Sequence, residues 1–437
     1  KTTRDVDMRI LLFTILILFG SASVSHSQDF AKGLEAADRG DFAEALRQWK
    51  PLAEQGNSRA QAFIGSMYQF GQGVTKDYKT ALKWLSLAAE PGDLGAQYNL
   101  GVMYAEGLGV ARDPRTALKW YSIAAEQGLA VAQTNLGSMY LNGQGVTQDH
   151  DSALKWFSLA AEQGLAAAQS NLGVMYFNGQ GVAQDYNSAL KWYSLAAEQG
   201  NAEAQIGLGS MYVKGLGVAR DPKTALKWFS LAAEQGHATA QFNLGLIYAK
   251  DDGVAVDYKA AMKWFSLAAE QENAEARFYL GQGYAEGLGV PKDYKTAAHW
   301  LSLAAEQGHT KAQFRLGLLY LWGYGVPQDY KVAKKWLLLS AQQGHSLAQS
   351  TLGLMYVKGD GVDQDHKAAI KWFSLAAKQG NAQAQSSLGG MLGNGLGVAK
   401  DEIKGLMWLN IAITNGFNGA TKARDFIAQN LTPVETS

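Results

Sequence analysis

"DLGAQYNLGVMYAEGLGVARDPRTALKWYSIAAEQG", residues 93 to 128, decides the fold, because close copies of it recur every 36 residues through most of the chain. Tryptophan marks the register: Trp84, Trp120, Trp156, Trp192, Trp228, Trp264, Trp300, Trp336, Trp372 and Trp408 are evenly spaced, and an aspartate stands seven residues before each. A fixed period of this size indicates stacked supersecondary units, each completing its core only against its neighbours.

Within the unit two amphipathic segments flank "GLGV". At 100° per residue, Ala96, Leu100, Gly101, Met103 and Tyr104 share one side of a first helix, and Tyr98, Asn99, Val102, Ala105 and Glu106 share the other. In the second segment Ala117, Leu118, Trp120, Tyr121, Ala124 and Ala125 form the apolar face, while Arg115, Lys119, Ser122 and Glu126 point away. The ten indoles are therefore expected on buried faces, as packing elements. Asp113 suits an N-cap, Pro114 the first helical position, and Gly128 the helix end. Gly107 and Gly109 permit the tight reversal between the helices.

With its A-x-x-x-L-G-x-x-Y, G-x-G-V-x-x-D and W-x-x-x-A-A pattern, "AQYNLGVMYAEGLGVARDPRTALKWYSIAAEQG" resembles a Sel-one-like repeat, a longer relative of the tetratricopeptide repeat. The resemblance implies an all-α fold, a right-handed superhelical α/α solenoid, and a role in protein interaction. It also brings in bacterial envelope regulators, polysaccharide-export scaffolds and host-contact proteins as relatives. Some relatives clamp each repeat with disulfides, whereas this chain has no cysteine.

Four regions follow: a signal peptide over 1–27, a modified capping hairpin over 28–57, ten repeats over 58–416, and a capping helix with a polar tail over 417–437. The signal-peptide reading rests on Arg9, the apolar run Ile10–Phe19 and the small residues Ser25 and Ser27. Residues 1–7 lie upstream of the expected start at Met8. The apolar run is shorter than the roughly 20 residues a membrane span needs, so no stable membrane insertion is expected. Without cysteine there is no site for a lipid anchor, and the mature chain is expected in a periplasm or outside the cell. The chain has 39 basic and 39 acidic residues, a balance that offers nothing to nucleic acid.

Several motifs suggest chemistry and yield to simpler readings. Ser152–Lys155 and Ser188–Lys191 match S-x-x-K, but the serine slot is Thr80, Thr116 or Thr224 elsewhere, and neither S-D-N nor K-T-G follows. His237, His309 and His345 share a slot with Asn57, Asp93, Asn201, Asn273 and Asn381, which favours a helix-start role over a metal. "GQGVTQD" lacks the third glycine and the preceding strand of a dinucleotide loop. One unit departs from pattern: Asp251 and Glu272 replace glycines and Arg277 replaces a glutamine. Either these are tolerated drift, with Asp251 absorbing left-handed geometry, or they change the local curvature.

The expected function is an exported, non-enzymatic scaffold, a monomer without catalytic residues, cofactor or metal, that grips a protein or peptide partner. First helices are expected to line the concave side. The candidate groove comprises Tyr98, Val102, Phe177, Phe242, Leu246, Phe278, Phe314, Leu318, Leu321 and Trp322. The competing reading of that stripe is packing against the neighbouring first helix. Alternatives for the whole chain are a cell-wall or β-lactam hydrolase and a secreted factor contacting host cells.

Overall fold

The computed structural model describes residues 24–251 and 253–429. Of the expected signal peptide only the backbone from Val24 is described, and the polar tail after Gln429 lies outside the described residues. The described residues form two compact units, one up to Asp221 and one from Pro222. Each is all-helical: antiparallel hairpins follow one another, every helix packing on the next. The first unit opens with a capping hairpin, Val24–Asp38 and Phe42–Glu54, and continues to Ala202–Lys214. The second runs from Pro222–Glu234 to Glu402–Thr414, then a short 3-10 turn, Asn418–Ala420, and a last helix, Thr421–Gln429.

The caps explain the precision of the hairpins. Asp113 accepts hydrogen bonds from the backbone of Arg115 and Thr116 at 3.0 and 3.3 Å, and the Thr116 hydroxyl donates to its second oxygen at 2.6 Å. These bonds, the Thr116 hydroxyl foremost, hold the Asp113 carboxyl below the usual carboxylate range. The Asp113 N–H donates back to the Tyr104 carbonyl at 2.9 Å, closing the loop. Gly109 has φ 70°, and a Cβ there would lie 2.7 Å from the backbone of Tyr78, so each loop seats on the preceding second helix.

Within a hairpin the contact is glycine against a large side chain. A Cβ on Gly101 would stand 2.5 Å from the Tyr121 ring, and one on Gly353 would stand 2.6 Å from Phe373. The residue after each tryptophan, such as Leu85, Tyr121, Phe157 or Phe373, is thus the buried centre of its hairpin. The tryptophans themselves are half-buried and pack against the core clusters as expected, at their edge instead of their centre. Trp156 lies against the cluster built by the preceding second helix and its own first helix. Phe157 belongs to the following cluster, so adjacent residues of one helix serve two seams and the indole covers the earlier one. Lys155 sits 5.2 Å over its ring.

A ladder of buried glutamines ties neighbouring hairpins together. Gln97 donates to the Ala89 carbonyl at 3.2 Å and accepts from Gln127 at 3.0 Å. The same pair of bonds recurs at Gln133 with Gln163, Gln313 with Gln343 and Gln349 with Gln379. Arg277 interrupts it. Its guanidinium donates to Ala269 at 3.1 Å but has no acceptor to offer, so Gln307 turns to the Glu272 carbonyl at 2.9 Å. In the same unit the first helix stops early, at Ala249, and Lys250 takes extended backbone with φ −121° and ψ 139°. The chain thus ends the helix before Asp251 instead of asking Asp251 to replace a left-handed glycine at the cap.

Candidate functional site

First helices are enclosed on more sides than a single helical wheel predicts. Leu94–Glu106 packs on its hairpin partner, on the preceding second helix and on the preceding first helix. Tyr98 faces the following hairpin and is only 8% exposed, its ring 5.7 Å from Tyr121 and its hydroxyl 3.4 Å from the amide of Asn135 on the next first helix. Burial raises the pKa of Tyr98. Phe278, 6% exposed, packs on Tyr279 and on His309. These two candidates are corrected to core residues, since the neighbouring first helix covers them.

The remaining candidates divide by location. Val102 is half-buried against the cluster of Tyr98 and Tyr121. Phe177 meets Tyr186 edge-on at 5.4 Å. Phe242 lies 5.9 Å from Phe265 and 5.8 Å from Tyr279, with Leu246 partly buried in the same cluster. Phe314, Leu318, Leu321 and Trp322, by contrast, line one cavity of about 510 Å³ between the first helices Thr310–Trp322 and Ser346–Lys358. Leu347, Ser350, Leu354 and Met355 form its far wall, with Lys358 and Asp360 also among its lining residues.

A second cavity of about 360 Å³ shares Leu318 and Trp322 with the first and adds Tyr294, Tyr324, Arg315, Lys292 and Glu286. Tyr294 stacks on Tyr324 at 5.1 Å, and Tyr324 stands 5.8 Å from Trp322. Hydrogen bonding to the Tyr294 hydroxyl raises the pKa of Lys292, whose ammonium lies 4.8 Å over that ring. Trp322 is 53% exposed and Tyr324 46%, so two large rings stand in solvent beside the cavities.

Reading the first-helix stripe alone missed Tyr294, Tyr324, Tyr330 and Leu347. A signal was available in the register: the Trp322 slot is polar or charged in every other repeat but the first, which has Phe70, and the Tyr324 slot holds leucine, glutamine or aspartate. Two aromatic residues together at one helix end, both about half exposed, mark a surface that the repeat does not carry elsewhere.

The other motifs resolve into structure. The Ser152 and Ser188 hydroxyls donate to their capping aspartates, Asp149 and Asp185, at 2.6 Å. His309 and His345 accept at Nδ1 from the backbone of Ala312 and Ala348, as helix caps. Among the described residues no group of His, Asp or Glu could hold a metal ion, and no helix is long and apolar enough to cross a membrane.

Ten consecutive segments match the Sel1 repeat: 58–93, 95–129, 130–165, 166–201, 202–237, 238–273, 274–309, 310–345, 346–381 and 382–417. The chain is similar to c5321, described as a protective antigen present in uropathogenic Escherichia coli strains and displaying an SLR fold. Identity is 36% and the TM-score 0.83, over 94% of this chain and 89% of that one. It is also similar to a Sel1 repeat protein from Oxalobacter formigenes, with 34% identity and a TM-score of 0.56 over 76% of this chain and 93% of that one. Among curated protein sequences none matches.

Proposed function

This chain belongs to the Sel1 repeat family, and on that premise we propose that it is an exported, non-catalytic scaffold holding a protein or peptide partner around Trp322. The observation carrying this reading is the pair of exposed rings, Trp322 and Tyr324, side by side between two cavities of mixed apolar and polar lining, a pairing of aromatics that no other repeat has at these two slots. Large aromatic anchors beside a pocket are the usual energetic centre of an interface. Because both rings are exposed, Trp322→Ala with Tyr324→Ala leaves the core intact. The double variant is expected to lose a partner that the unaltered chain retains in affinity capture from exported proteins. Equal recovery of that partner would sink the assignment.

Export is proposed from Arg9, the apolar run after it and the small residues before Gln28. N-terminal sequencing of the protein isolated from its own cells should start at Gln28. A start at Met8 contradicts export by this route. A second reading, a secreted factor that meets host cells, draws support from the likeness to a protein described as a protective antigen. Protease treatment of intact cells, or assay of the culture medium, separates it from a periplasmic scaffold.

A further inference from the structure

The larger cavity has a cause in the register. The position corresponding to Tyr98 carries Phe242, Phe278 and Phe314 in three successive repeats, then Ser350 and Ser386. Phe278 stacks on His309 with ring centres 4.7 Å apart, and Phe314 reaches His345 at the same distance. At Ser350 the column of rings stops, and the room that a fourth ring would take belongs to the cavity of about 510 Å³. Ser350 is 3% exposed, lines that cavity, and its hydroxyl makes no hydrogen bond. Two first-helix serines in another slot do otherwise: Ser66 and Ser138 donate to the carbonyls of Ala62 and Thr134 at 3.0 Å. A buried hydroxyl without a partner is unfavourable until something supplies one.

We propose that this cavity receives one large apolar side chain, Leu, Met or Phe, of an extended peptide segment whose backbone amide exchanges a hydrogen bond with Ser350 Oγ. The proposal rests on the reading of the Trp322 surface as a partner site and narrows it to one subsite. Complementarity selects the anchor: Phe314, Leu318, Leu347, Leu354 and Met355 supply apolar wall, the uncharged Gln328, Thr351 and Gln383 add polar groups that can bond the peptide backbone, and the charged lining residues Lys358 and Asp360 have opposite signs. A neutral apolar group fits that lining, and a charged one would be desolvated without a counter-ion. The hydroxyl selects the conformation, because a helical segment keeps its amides internally bonded whereas an extended one offers them. The exposed Trp322 ring is placed to cover the chain on either side of the anchor.

The test is selection of a phage-displayed library of random peptides on the full chain, followed by binding of the enriched peptides to four proteins by fluorescence polarisation. These are the unaltered chain, Ser350→Phe, Ser350→Ala and Ser386→Phe. Ser350→Phe extends the phenylalanine column and fills the cavity; circular dichroism and the melting midpoint check its fold. Ser350→Ala removes only the hydroxyl. The expected result is a shared Leu, Met or Phe in the enriched peptides and binding weakened at least about tenfold by Ser350→Phe. A smaller loss is expected with Ser350→Ala and none with Ser386→Phe. Peptides that bind Ser350→Phe and Ser350→Ala undiminished overturn the subsite. The wider reading still stands if those peptides lose affinity with Trp322→Ala and Tyr324→Ala. Failure to enrich any peptide also overturns the subsite, and partner capture by the double variant then decides the wider reading separately.

Discussion

Glu272 is a glutamate in the place where neighbouring second helices close on glycine, and it adopts the glycine's conformation, φ 66°, beside Gly236 at φ 90° and Gly308 at φ 87°. Two bonds hold it there: its N–H donates to Ala269 at 3.1 Å, and Asn273 N–H donates to Ala268 at 3.2 Å, the usual closure of a helix end. A side chain in left-handed backbone costs about 1 kcal/mol. Glu272→Gly is accordingly expected to raise stability by about that amount, read as a higher urea midpoint at unchanged slope. A midpoint that stays or falls contradicts the strain. Glu272 and Arg277 were both legible as departures from the period. The consequence of Arg277 was not: nothing in one sequence reveals that the glutamine it replaces both donates and accepts between hairpins.

Helix boundaries were the most legible feature, because each depends on residues adjacent in the chain: an aspartate that caps, a glycine that stops, a histidine in place of asparagine. His345 shows what this local chemistry implies for acidity. Its Nδ1 accepts from Ala348 N–H at 3.3 Å, which only the neutral ring can do. Burial, then Lys311 and Arg315 on the preceding first helix, lower its pKa from the ordinary 6.5. With the folded value below the unfolded one, the cap's contribution is complete above about pH 6.5 and declines as pH falls through the folded value. His345→Asn, the cap used at Asn57, Asn201 and Asn381, removes that dependence. The fall in melting temperature from about pH 7 to about pH 5 should be smaller in this variant. Superimposable pH profiles would refute the assignment. Faces were less legible than ends: a wheel drawn for Leu94–Glu106 leaves Tyr98 free, but its burial is decided by its hairpin partner and the following first helix, through Tyr121 and, 37 residues on, Asn135.

At the scale of the molecule, repetition carries the architecture and its exceptions carry the site. Ten matched repeats place Trp and Asp identically, and Gly in all but the repeat with Asp251 and Glu272; those letters are accounted for by caps, seams and close helix approach. The aromatic surface at Trp322 and Tyr324 uses slots that in the first two repeats hold the partly buried Phe70 and Leu108, but here the rings stand about half exposed. It was only partly foreseen, because Phe314, Leu318 and Leu321 lie on the expected stripe whereas Tyr294, Tyr324 and Tyr330 come from the loop and the second helices. The central claim is that partners are held by these exceptional residues and not by the repeated faces. It is tested most directly by placing a photocrosslinking amino acid at position 322 in one chain and at position 119, on the solvated face of a second helix, in another. Each chain is then irradiated in the cells that make it. The account predicts one discrete crosslinked partner from position 322 and none from position 119. The same partner from both, or a partner from position 119 alone, would contradict it.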